Sequence, residues 1–255
     1  MCGTASALFL WALEWATAFR LAHPALPFAL PAAGLLVGLA YERLGQSVAA
    51  GHNLIIDTIH DDGPEIPLRM APLVLVGTVL THLFGGSAGR EGTAVQMGAS
   101  LTDWMSHRLA LPRPLRRQLL AAGVAGGFGS VFGTPVAGAL FGLEFVVLGR
   151  IEYGAVLPAL AASIVGDMTT RTLGVVHTPY PAVDDVPLTG VLVLKWLLFA
   201  AAVAIVTVLF IELTHAVKRR ALMLTTRLPV RMMLGGLVVA ALWRLTGSDR
   251  YLGLG

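Results

Sequence analysis

Gly85-Gly86-Ser87-Ala88-Gly89-Arg90-Glu91-Gly92-Thr93-Ala94-Val95-Gln96 sets an arginine–glutamate pair between two apolar runs, among four glycines. Ionisable groups at membrane depth are costly and usually face a pathway. Glycine lets the backbone turn sharply and bare its amides. A helix starting near Glu91 would aim its unpaired first-turn amides, and the positive end of its dipole, at whatever sits there. A side-chain carboxylate suits that place, and so does a dissolved anion. Competition between the two makes a gate.

A phosphate cradle is the obvious rival. A P-loop needs Lys followed by Ser or Thr after its last glycine, and no Lys stands here. Gly86, Gly89 and Gly92 do not have the dinucleotide spacing either. Outward from the segment, the composition is that of a membrane protein. Of 255 residues 56% are hydrophobic and 13% charged, against about 25% charged in soluble domains. The mean hydropathy is +0.75. One cysteine, Cys2, forms no internal bridge and leaves the redox compartment open.

The net charge of +3 does not call for nucleic acid. Half of the Lys and Arg fall in two clusters, Arg108, Arg113, Arg116 and Arg117, then Lys218, Arg219, Arg220, Arg227 and Arg231. Such clusters mark cytoplasmic loops. Leu173 to Leu194 has no Lys or Arg and carries Asp184 and Asp185, which suits the opposite side.

Apolar runs cover Ala5–Leu21 (broken by Glu14), Leu26–Ala40, Met70–Phe84, Thr93–Met105, Leu119–Val131, Val136–Leu148, Ala155–Ile164, Val191–Leu213 and Met232–Leu242. Several are about a dozen residues, short of the ~20 that a full span needs. The pattern predicts an all-α polytopic bundle whose broken helices stop within the bilayer, tolerated where their ends line a cavity. Gly34/Gly38, Gly123/Gly127, Gly129/Gly133 and Gly138/Gly142 sit four apart, the spacing that lets helices approach closely in lipid.

Gly89-Arg90-Glu91-Gly92 with Val95-Gln96 resembles the gating motif of the CLC chloride channels and chloride/proton antiporters. Ala121-Ala122-Gly123 with Phe132-Gly133-Thr134-Pro135-Val136-Ala137-Gly138-Ala139-Leu140-Phe141-Gly142-Leu143-Glu144 is similar to a second segment of that family. Gly51-His52-Asn53-Leu54-Ile55 is a weaker match to its first anion loop. The resemblance covers nearly the whole chain. It implies a homodimer in the cell (plasma or inner) membrane, each subunit with its own anion pathway built from inverted repeats. One transmembrane domain, 1–255, would hold the first repeat over about 1–175 and the start of the second over about 188–255. It also implies that Glu91 is the gating carboxylate. His52, Asn53, Leu54, Gly89, Arg90, Gly92 and Thr93 would surround the anion, chloride or fluoride, and Glu144 would stand near a proton path. No cofactor beyond the halide, no metal and no catalytic residue is expected.

The departures from the family pattern are specific. His52 or Asn53 replaces a serine, Ile55 a proline, and Thr93 the proline that ends the gating motif. Phe145 occupies the place of the internal proton-relay glutamate. Such variation resembles a divergent prokaryotic branch that includes fluoride exporters. The chain stops in a glycine-rich turn, Tyr251-Leu252-Gly253-Leu254-Gly255, and the expectation is a fragment lacking the last third or more.

Bland readings compete at each position. Glu91 could be a helix-capping carboxylate, and the motif argues against that. Arg90 is expected to shape potential and packing more than to bind the ion. Glu144 is expected to tie helices by hydrogen bonds, and Glu14 to be structural. His52 and Asn53 divide evenly between anion contact and loop capping, and His82 reads as a satisfied packing histidine. Asp57, His60, Asp61 and Asp62 have metal-ligand composition but read as a solvated helix end. Two other function classes stay open: a membrane-embedded enzyme pairing Glu91 with His82 or His52, and a non-conducting truncated scaffold.

Overall fold

The computed structural model describes residues 1–60, 65–146, 153–177 and 186–253. Asp61, Asp62 and the Asp184–Asp185 pair lie outside these residues. The elements, in order, are α1 (Cys2–Ala22), α2 (Leu30–Leu44), α3 (His52–His60), α4 (Met70–Leu83), α5 (Arg90–Arg108), α6 (Arg113–Phe132), α7 (Pro135–Val146), α8 (Val156–Thr172), α9 (Gly190–Leu224) and α10 (Leu228–Thr246). Among the described residues there is no strand.

Breaks fall where backbone chemistry forces them. Pro24 cannot extend α1, and its neighbour His23 leaves the helical region (φ −128°, ψ 80°). The chain re-enters a helix bent by 111° from α1, so the first two apolar runs form one bent pair. Gly133 ends α6 in the left-handed region (φ +68°), and Pro135 restarts the chain as α7. Among the described residues, only α9 and α10 are long and apolar enough to cross a bilayer alone; α4 and α7, of 14 and 12 residues, are shorter apolar helices.

α6 is the centre, packed against α5, α7 and α8. Its approach to α5 depends on missing side chains: a methyl on Gly123 would meet the Gly98 carbonyl oxygen at 2.7 Å. The same device seats α10 on α2, where a methyl on Gly34 would meet the Met232 carbonyl at 2.6 Å. Lipid supplies little hydrophobic drive between helices, so such contacts hold them by close packing. Apart from Gly133, which caps α6, the four-apart glycines are thus packing residues. The core around them includes Phe9, Leu13, Ile55, Ile59, Met70, Val95, Leu120, Val124 and Val131. α9 stands off from it with no buried residue.

The second basic cluster flanks a short turn: Arg227 stands between α9 and α10, and the other four residues lie on the helices on either side of it. Lys218, Arg219 and Arg220 extend α9, whose 35 residues span about 52 Å against a hydrocarbon core of about 30 Å. The charged turns lie beyond the span, where Lys and Arg continue a helix readily and suit its C-terminal end.

At the far end of α5 from Glu91, Asp103 is fully buried. It accepts from Arg116 Nε at 2.7 Å, Arg116 Nη2 at 3.1 Å and the Ile66 amide at 2.7 Å. The fork-shaped pair fixes α5 to α6, so the orientation of the Glu91 end is set by an anchor at the other.

Candidate anion-binding site

α5 begins at Arg90 with extended Gly89 as its N-cap (φ −67°, ψ 142°) and no side-chain cap. The first-turn amides are therefore left to other partners. Glu91 stands in that first turn, exposed among the described residues, with its carboxylate folded back over Gly89; a methyl on Gly89 would collide with it. Glu91 sits where the dipole favours a negative charge. Thr93 turns the other way: its buried hydroxyl lies 2.7 Å from Thr78 Oγ1 on α4, leaving only its main chain for an ion.

α3 brings a second helix start to the same place. Gly51, in the left-handed region (φ +58°), turns the chain into it. The His52 ring lies on Gly92, whose added methyl would meet Cε1 at 2.8 Å. Gln96, one turn further along α5, holds Nε2 3.4 Å from His52 Nδ1. Asn53 is exposed beside the ring, while the Leu54 side chain is buried in the core and offers only backbone. The starts of α3 and α5 thus converge, with Glu91, Gly92, His52 and Asn53 around the junction.

Arg90 points elsewhere. Its guanidinium carbon lies 5.4 Å from the centroid of Phe132. From there a line of rings runs back to the junction: Phe132–Phe128 at 4.6 Å, Phe128–Phe141 at 4.3 Å, Phe141–Phe145 at 5.6 Å and Phe145–His52 at 5.8 Å. Sequence reasoning marked Phe145 only as a missing glutamate; here it packs against His52. Glu144 is exposed and makes no hydrogen bond or ion pair to a described residue, so the expected helix tie is not found.

Arg90 also borders a cavity of about 520 Å³ between α1 and the ends of α6 and α8, with Glu14, Thr17, Phe132 and His177 on its wall. Glu14 is exposed there and is not a helix–helix contact. His177, in the segment after α8, lies 3.5 Å from Asp167, which accepts from Arg171 at 2.9 Å. Burial lowers the His177 pKa, and Asp167 opposes that shift.

His82, at the end of α4, is completely buried, and its Nε2 donates to the Ala88 carbonyl at 2.8 Å, fixing the loop that leads into α5. It is only half satisfied, because Nδ1 is buried without a partner. Ser87 in the same loop donates to the Tyr251 carbonyl at 3.0 Å, so the terminal turn is fastened to this loop. Asp57 is exposed, as expected of a helix end.

Residues 33–255 match the family described as voltage gated chloride channel. A "Chloride/fluoride channel protein" of Pseudomonas syringae pv. tomato is 47% identical over 266 aligned positions, covering 100% of this chain and 58% of its own. The solved structure of a CLC-type fluoride/proton antiporter is 33% identical with a TM-score of 0.93, covering 99% of this chain and 64% of that one. A slow cyanobacterial Cl−/H+ antiporter, 24% identical with a TM-score of 0.58 over 68% of this chain, shares the fold. The chain spans less than two thirds of the length of each of these relatives.

Proposed function

Because the chain belongs to the voltage-gated chloride channel family, whose members are integral membrane channels and transporters, we propose that it moves small anions, chloride or fluoride, along a path gated by Glu91. The observation that carries this reading is the contact of His52 with Gly92, which brings two helix starts to one place beside the Glu91 carboxylate. Amide dipoles from both helices favour one negative charge there, and carboxylate and halide contend for it. Protonation of Glu91 removes the contender, so proton binding and anion entry favour each other. That linkage drives proton-coupled exchange or an acid-opened leak.

The named substrates of two relatives, chloride or fluoride for the Pseudomonas protein and fluoride with protons for the antiporter, support a small halide. With Phe145 in the usual relay position, protons take the route of Glu91 itself. The protein works as a homodimer in the cell membrane. An acid–base pair of Glu91 with a histidine belongs to enzymes and is set aside with the family assignment.

The test is anion efflux from liposomes carrying the protein expressed from its whole gene, comparing chloride with fluoride at two pH values. Acid-stimulated halide efflux that loses its pH response in Glu91→Gln is expected. An unchanged pH response in that variant overturns the gate, and absence of efflux of either halide overturns the transport reading.

A further inference from the structure

Five cations gather where α9 ends and α10 begins. Lys218, Arg219 and Arg220 are exposed on α9, Arg227 is exposed in the turn, and Arg231 is partly buried in the first turn of α10. Leu213 to Ser248 contains no Asp or Glu. Among the described residues, none of the five side chains makes a hydrogen bond or an ion pair. Glu212 precedes the group on α9, and Glu42 stands near the end of α2, beside which α10 starts; both are exposed and neither is paired with it. The first basic cluster is different, because there Asp103 neutralises Arg116.

The helices set the depth of these charges. The apolar run Val191–Leu213 is about 35 Å long as a helix, enough for a hydrocarbon core of about 30 Å. Lys218 to Arg220 follow Leu213 by about 8–10 Å along the axis. A headgroup layer about 5–8 Å deep borders the core on each side, so these side chains reach it. Arg227 and Arg231 stand before the next apolar run, Met232–Leu242, and return to the same layer. Their sign selects the cytoplasmic side.

We propose that the turn between α9 and α10 is a docking surface for anionic phospholipid headgroups of the cytoplasmic leaflet. Charge complementarity carries the proposal: five cations without a protein partner lie within reach of the layer that holds the phosphates. Clusters of four to eight Lys and Arg beside a membrane helix are drawn to such leaflets. The four guanidinium forks suit phosphate oxygens, and the Lys218 ammonium adds a point charge. Because α9 stands off from the core with no buried residue, the headgroups hold the end of a helix that packing leaves loose. The surface is independent of the Glu91 gate.

The experiment reconstitutes the protein expressed from its whole gene in phosphatidylcholine vesicles at low salt. The vesicles carry a trace of phosphatidylglycerol or of phosphatidylcholine with a photoactivatable headgroup, and the labelled peptides are mapped. Labelling of residues 214–231 is expected to be roughly fivefold higher with the phosphatidylglycerol probe, the factor that one cation near an anionic surface contributes. That preference should shrink as salt is raised. It should approach one when Lys218→Gln, Arg219→Gln, Arg220→Gln, Arg227→Gln and Arg231→Gln are combined, and persist when the four arginines are replaced by lysine. Should the fivefold neutral variant not fold, Arg219→Gln with Arg227→Gln should lower the preference in part. Equal labelling by the two probes overturns the proposal. So does a preference that the neutral variants keep, or a segment 214–231 left unlabelled because an acidic stretch of the protein itself covers the cations.

Discussion

The imidazole of His52 rests on Gly92, one residue past Glu91, so closely that a methyl on Gly92 would meet its Cε1 at 2.8 Å. That contact brings the start of α3 to the start of α5, and in the proposed function the width of the gap between them sets the room for an ion.

Gly92→Ala must push the ring away, breaking its weak link to Gln96 Nε2 and widening the junction. Halide efflux should fall about tenfold or more. His52→Ala in the same chain should restore part of the loss, and a double-mutant cycle should give a coupling of about 0.5–3 kcal/mol. Additive effects of the two substitutions would separate His52 from the gate.

Gly89 has a related constraint on its other side, where the Glu91 carboxylate covers its Cα. Gly89→Ala should displace the carboxylate from the helix start and leave efflux faster and less pH-dependent. Glu91→Gln should remove pH dependence altogether. Efflux traces at two pH values distinguish these outcomes, and full pH dependence in Gly89→Ala would mean that the carboxylate works from another rotamer.

Much of this site is legible in the sequence because its signals are local. Glycines beside an ion pair between apolar runs announce a broken helix, and glycines four apart announce close packing. The segment of residues 51–55 is legible as a companion loop, and the structure brings it to Gly92. What escapes are relationships made only by folding. Leu54 and the Thr93 hydroxyl look as available as their neighbours, yet one faces the core and the other Thr78. The ring line from Phe132 to His52 joins α6, α7 and α3, and no periodicity reveals it. Lys218 to Arg220 read as a loop because charge is the signal for leaving the membrane, but nothing in charge stops a helix. His82 looks self-contained until its neighbours prove to be Ala88, Arg20 and Gly253.

The Asp103–Arg116 pair is another such relationship, and it carries a stability prediction. Removing one partner leaves a buried charge uncompensated, which costs about 3–5 kcal/mol. Asp103→Ala should therefore lower the thermal midpoint in detergent far more than Arg108→Ala, whose guanidinium lies 5.6 Å from the Trp104 ring centroid at the surface. Asp103→Ala with Arg116→Met should recover part of the loss, because the stranded guanidinium is gone. Equal midpoints for the single and double variants would mean that the Ile66 amide, not the ion pair, is the contact that matters.

His177 gives a pH dependence outside the membrane-spanning helices. Its burial disfavours the imidazolium, so the folded protein binds the proton less readily than the unfolded chain, and Asp167 reduces that difference without reversing it. With more protons on the unfolded state, stability rises with pH: the contribution is complete above the ordinary histidine value of about 6.5 and is lost as pH falls through the window below it. The ring covers left-handed Gly133, where a methyl would lie 2.6 Å from it, so its protonation loosens the junction between α6 and α7. Limited proteolysis of the segment around residues 174–177 should accelerate on acidification in the parent and change little with pH in His177→Gln. Acceleration of equal size in both would assign the acid sensitivity to the Asp167–Arg171 pair instead, since that pair remains when the imidazole is removed.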